Sequence, residues 1–77
     1  MEKIIIDREY ITLGQLLKIA NIIQSGGYAK IFLQDTGVKV NQETEQRRGR
    51  KLYDNDIIEI EGYGQFKIIK SEEIECI

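Results

Sequence analysis

The sequence contains no histidine and one cysteine, Cys76. Without an imidazole, no side chain titrates near neutrality as a general acid or base, and no histidine metal site can form. A lone cysteine excludes an internal disulfide and points to a reducing compartment. Long apolar runs are also missing, and nothing approaches the roughly 20 residues that cross a bilayer. The opening "MEKIIIDREY" sets acidic residues on both sides of three isoleucines, unlike a secretory signal, which starts basic and has a longer apolar stretch. A cytoplasmic setting, without a membrane partner, is expected. The acidic residues show no paired spacing that suggests a hydrolytic dyad, and no pattern calls for a cofactor or a small-molecule substrate; the chain reads as a non-enzyme. Aromatics are sparse. Tyr10, Tyr28, Tyr53, Tyr63, Phe32 and Phe66 are scattered, so an extended platform for reading single-stranded bases is not expected.

What is present is an ordinary globular composition, 42% hydrophobic and 31% charged over 77 residues, read as one domain spanning 1–77. Residues 2–6, "EKIII", have the β-branched content of a strand. Thr12 and Gln15 form a capping-box pattern, and Leu13, Leu16, Leu17 and Ala20 follow with the spacing of one buried helical face. "NIIQSGG" interrupts that helix. Ser25 is a second N-cap candidate, opening "SGGYAKIFLQD", in which Ala29, Phe32 and Leu33 again keep helical spacing. "VKV" at 38–40 alternates as a half-buried strand does. Asn41 with Gln42, "YDND" and "GYG" mark turns around the strands "IIEIEG" and "QFKIIK". The order is β-α-α-β-β-β, give or take one edge strand, with "SEEIECI" as a frayed tail or a further short edge strand.

Charge is segregated along the chain. Three of the four arginines fall within "QRRGRKL" at 46–52, in a protein whose formal charge is −2. Residues 38–52 carry a net +3 and residues 53–77 a net −5, so the overall balance conceals a basic centre and an acidic end. Charges more than about 8 Å apart are largely screened at physiological salt, so a local cationic site can act within an acidic chain. Guanidinium forks suit phosphate because they donate two parallel hydrogen bonds, and Gly49 lets the backbone bend or approach a ligand. The plain alternative is a solvated basic loop. Ser25, Gly26 and Gly27, at the expected start of the second helix, offer unshielded backbone amides, and Lys30 follows in the first turn. Together with Lys39 and the arginine segment they would form one anion-binding surface.

"SGGYAKIFLQDTGVKVNQ" followed by "RRGRKLYDNDIIEI" resembles the S-four RNA-binding domain, and more narrowly its small stand-alone bacterial members of YaaA/YbcJ type. The resemblance covers roughly residues 11–62. It implies an α+β fold with two short helices packed on a small, mostly antiparallel sheet. It also implies an RNA-facing surface lined by Ser25, Gly26, Gly27 and Lys30 on one side, Lys39 and Asn41 in the middle, and Arg47, Arg48, Arg50 and Lys51 on the other. Gln42 stands where the family commonly has glycine.

The expected function is recognition of structured RNA, with ribosomal RNA or the ribosome as the partner, through phosphate position and shape. Three to five phosphate contacts would give a log–log salt slope of roughly −2 to −4.5. Arg47→Ala with Arg50→Ala is expected to flatten that slope with folding intact. The alternatives are a protein–protein interaction module using the basic loop or the acidic C-terminal third, and, more weakly, duplex DNA binding. The RNA bound and the oligomeric state stay open at this level.

Overall fold

Ile4 and Ile6 are buried while Ile5 between them is exposed, the period-two pattern of a strand with one face on a core. This strand, β1 (Glu2–Ile6), belongs to a computed structural model that describes residues 1–71. "SEEIECI" therefore lies, beyond Ser71, outside the described residues, as does Cys76.

A two-residue strand, β2 (Ile11–Thr12), runs straight into α1 (Leu13–Ile19). The capping box is present as read: the Gln15 N–H donates to Thr12 Oγ1 (3.2 Å) and the Thr12 N–H donates to Gln15 Oε1 (2.9 Å). Leu13, Leu16 and Leu17 are wholly buried, and Ala20 is half-buried at the C-cap. Asn21 then takes a left-handed conformation (φ 61°) that ends the helix.

The second helical segment differs from expectation at its start. Ser25 has the extended backbone of an N-cap, but its side chain makes no capping bond, and residues Gly26–Tyr28 form a single 3₁₀ turn. The α-helix proper, α2 (Ala29–Asp35), begins only at Ala29. The glycine pair accounts for this, because two residues without Cβ hold α-helical geometry poorly and a tighter turn takes their place.

β3 (Val38–Val40), β4 (Glu43–Thr44), β5 (Lys51–Leu52), β6 (Ile57–Ile60) and β7 (Gly64–Lys70) complete the fold. The main sheet has the order β1-β7-β6-β3-β4, with β1 parallel to β7 and the remaining pairs antiparallel. β2 and β5 pair separately as a two-stranded antiparallel ribbon. This is the α+β class read from the sequence, with a mostly antiparallel sheet. Three strands escaped that reading: β2, β4 and β5 are two residues long, too short for a periodic signal, and are made by pairing. One face of the main sheet supplies Ile4, Ile6, Val38, Val40, Ile58, Ile60, Phe66 and Ile68 to the core, where Leu13, Leu16, Leu17, Phe32 and Leu33 of the helices meet them.

Asn41 (φ 51°) and Gln42 (φ 74°) are both left-handed between paired Val40 and Glu43, the geometry of a type I′ hairpin. Asparagine suits its position; glutamine is strained in the other. Gln42→Gly should therefore raise stability by about 0.5–1 kcal/mol, the relief of strain exceeding the flexibility glycine adds to the unfolded chain. A rise in the urea midpoint with unchanged m-value checks this.

Candidate nucleic-acid interface

The arginine segment is an ordered loop held from two sides. On one side it caps α1. The Leu13 N–H donates to the Arg50 carbonyl and the Gly14 N–H to the Arg48 carbonyl, each at 2.9 Å. With the capping box, the Thr12, Leu13, Gly14 and Gln15 amides all have acceptors, so the start of α1 is saturated by protein. The approach is close: a Cβ at Gly14 would lie 3.4 Å from the Arg48 carbonyl oxygen and 3.5 Å from the Arg48 Cβ, in van der Waals contact with the loop.

On the other side the loop closes on Glu45, whose side chain is only 7% exposed. Its own N–H donates to the Val38 carbonyl, which fixes it beside the sheet. Its carboxylate accepts from the Arg47 backbone N–H (3.0 Å), Arg47 Nε (2.9 Å), Arg47 Nη2 (3.2 Å) and Arg50 Nη1 (2.8 Å). Hydrogen bonds from the Arg47 side chain outweigh burial, which alone would raise the carboxyl. The Arg47 amide and the Arg50 guanidinium add to them, and Glu45 is held at about 2 against an ordinary 4.5. The same pairing raises Arg47 further above its usual range.

This redistributes the cationic groups. Arg47 is three-quarters exposed but committed on its Nε side, and Arg50 is largely covered. Arg48 sits with Gly49 at the corner of a turn closed by the Arg50 N–H on the Arg47 carbonyl (3.2 Å). It is exposed, and among the described residues no carboxylate lies within salt-bridge distance of it. Lys51 places its ammonium 5.2 Å from the Tyr10 ring centroid.

Arg48 and Gly49 line one open groove with Gly26, together with Thr12, Gly14, Gln15 and Lys18. The glycine turn and the arginine loop, far apart in sequence, thus meet across the start of α1. A Cβ at Gly26, Gly27 or Gly49 would meet nothing within 4 Å, so this wall is open to an approaching ligand. Ser25 lies beside it with its side chain uninvolved in capping, and Lys30 is exposed on α2 without lining the groove.

Two expected residues lie elsewhere. Lys39 stands on the outer face of the main sheet, between Thr44 and Glu59 in register, and lines a separate groove with Glu59, Glu61 and Gln65. Asn41 is engaged inside the fold: its Nδ2 donates to Asp56 Oδ1 (3.1 Å) and its Oδ1 accepts from the Ile57 N–H (3.0 Å). It splints the β3–β6 junction.

The sequence reading passed over Lys18, Gly14 and Glu45, and took Gln15 only as part of the capping box. Lys18 follows Gly14 by four residues and Gln15 by three, which sets it beside both on the helix surface and was a usable signal. Glu45 carried none, as its burial depends on the loop closing over it. The geometry also alters one expectation: alanine at both Arg47 and Arg50 would leave the buried Glu45 carboxylate with only the Arg47 backbone N–H of its four donors, so a loss of stability is expected.

Among the described residues there is no group of three or more carboxylates or cysteines that could hold a metal ion. No helix among them is long and apolar enough to cross a membrane.

A family model described as the S4 domain matches residues 4–69, which takes in most of β1 and β7 beyond the 11–62 stretch that carried the resemblance. The chain is similar to the probable ribosome maturation protein RlbA of Bacillus subtilis (strain 168), with 59% identity over 64 residues that cover 83% of this chain and 90% of that protein. On both grounds the chain belongs to the S4 domain family.

Proposed function

We propose that the chain is a non-catalytic RNA-binding module, acting as one cytoplasmic domain, that recognises structured RNA by phosphate position and shape. Ribosomal RNA is the expected partner, a reading supported by the name of the related ribosome maturation protein. The observation that carries the proposal is the convergence of Gly26, Lys18, Arg48 and Gly49 on one open groove. Its cationic groups stand where a phosphate backbone can reach them, and its glycine wall leaves room for close approach. Ser25 and Gly27 extend the wall. Arg47, Arg50 and Lys51 form its rim, with Arg47 and Arg50 working mainly by shaping the loop. Lys30 and Lys39 contribute at longer range, and Asn41 acts through the turn it holds.

Titration of a folded ribosomal RNA fragment across salt concentrations tests this. The expected log–log slope is roughly −2 to −4.5, with duplex DNA competing poorly. A slope near zero, or no binding, would overturn the reading. Gly26→Val should lower the affinity about tenfold by filling the approach to the groove, while the urea midpoint moves little because the new side chain points into open space.

A further inference from the structure

The β2–β5 ribbon turns one face into the core and the other outward. Ile11 and Leu52 pair directly and are buried. Thr12 pairs with Lys51, and just beyond the other end of the ribbon Tyr10 and Tyr53 flank the Ile11–Leu52 pair with their rings side by side. Side chains alternate along a strand, so Tyr10, Thr12, Lys51 and Tyr53 share the outward face. Tyr10 and Tyr53 are 37% and 43% exposed, and their ring centroids are 5.6 Å apart with planes inclined at 47°. The Lys51 ammonium sits by the Tyr10 ring. The chain therefore places two exposed aromatic rings and a cation together, although the rings lie far apart in sequence.

This cluster adjoins the groove. Thr12, opposite Lys51, is itself a groove-lining residue, and Tyr53 follows Arg50 by three residues, ~10 Å of extended chain. A nucleic acid strand held by Arg48 and Lys18 would have its neighbouring nucleotides within reach of the rings.

We propose that Tyr10 and Tyr53 form a stacking site for an unpaired nucleobase of the bound RNA, with Lys51 contacting the adjacent phosphate. The inference rests on the RNA-binding reading and deepens it: the favoured RNA is a helix carrying a bulged or flanking unpaired nucleotide, not an uninterrupted duplex. The inclined rings leave no parallel slot between them, so the base lies against the outer face of Tyr53, the more exposed ring. An aromatic face accepts any base, and the site selects for unpaired structure without selecting sequence.

The test compares two RNAs of equal length, one fully paired and one with a single bulged nucleotide, against wild type, Tyr53→Leu and Tyr53→Phe. The wild type should bind the bulged RNA about tenfold more tightly. Tyr53→Leu should abolish that preference while leaving affinity for the paired RNA and the salt slope unchanged, and Tyr53→Phe should retain it. Because the readout is a ratio within each variant, partial loss of folded protein does not imitate it. Equal wild-type binding to both RNAs, or a preference that survives Tyr53→Leu, overturns the stacking site while the RNA-binding reading stands. Binding to neither RNA overturns both.

Discussion

Glu45→Ala is expected to lower stability by roughly 2 kcal/mol and to weaken RNA binding, although it removes a negative charge from beside the proposed phosphate site. The carboxyl is held at about 2 instead of 4.5, and complete conversion of that difference corresponds to about 3 kcal/mol. Water around the exposed arginine ends screens the pairing and brings the expected figure down. In a domain of this size the loss is a fall of about 8–16 °C in Tm. If the charge at position 45 mattered only through the long-range field, its removal would tighten RNA binding. The carboxylate instead gathers one backbone amide and two guanidinium groups, and through them the carbonyls that cap α1. Without it the loop opens, Leu13 and Gly14 lose protection from amide exchange, and Arg48 loses its aim. RNA affinity that rises in Glu45→Ala, with unaltered exchange at Leu13 and Gly14, would refute this account.

The pH dependence has a definite sign. Folding depresses this carboxyl, so its contribution is fully present above about pH 4.5 and is lost as pH falls through 2. Wild type and Glu45→Gln should differ most in stability near pH 5–6, and their difference should shrink steadily between pH 4.5 and 2. Comparing the two proteins cancels the other carboxylates, which titrate in both.

The second large effect concerns Arg48 and Lys18. Both are exposed and line the groove, and neither has a carboxylate within salt-bridge distance among the described residues. Arg48→Ala with Lys18→Ala should lower affinity for structured RNA by roughly 10- to 100-fold and reduce the magnitude of the salt slope by about 1.5, close to one phosphate for each side chain. Stability should change by only a few tenths of a kcal/mol, from the lost favourable placement of Lys18 near the end of α1. Arg47→Ala with Arg50→Ala should do the reverse, with a large loss of stability and a smaller change in slope. The two double variants thus separate the side chains proposed to touch RNA from those that hold the loop. An unchanged slope in Arg48→Ala with Lys18→Ala would remove the groove from consideration.

Much of the local structure was legible in advance because its causes are local. The capping box at Thr12 and Gln15 needs residues three apart, and the Leu13, Leu16, Leu17 stripe needs one helical face. The Val38–Val40 alternation needs one strand, and the turn at Asn41 needs side chains that tolerate positive φ. The start of α2 was misplaced because helical spacing in Ala29, Phe32 and Leu33 says nothing about how two preceding glycines will coil. The tyrosine pair was invisible for a related reason: nothing around Tyr10 or Tyr53 indicates that β2 and β5 will pair.

By itself the sequence determined the types of the longer elements, their buried faces, the concentration of arginine in one loop and the family resemblance, since these follow from residue spacing and composition within short windows. Only the tertiary structure decided which arginine is left available. That choice depends on a carboxylate buried by a closing loop, on helix-end amides bonded to the same loop, and on a glycine turn brought alongside from elsewhere in the chain. Each is a contact between segments whose approach is set by packing on a shared core. Hydrogen-bond partners at that distance leave no periodicity in the sequence from which they could be read.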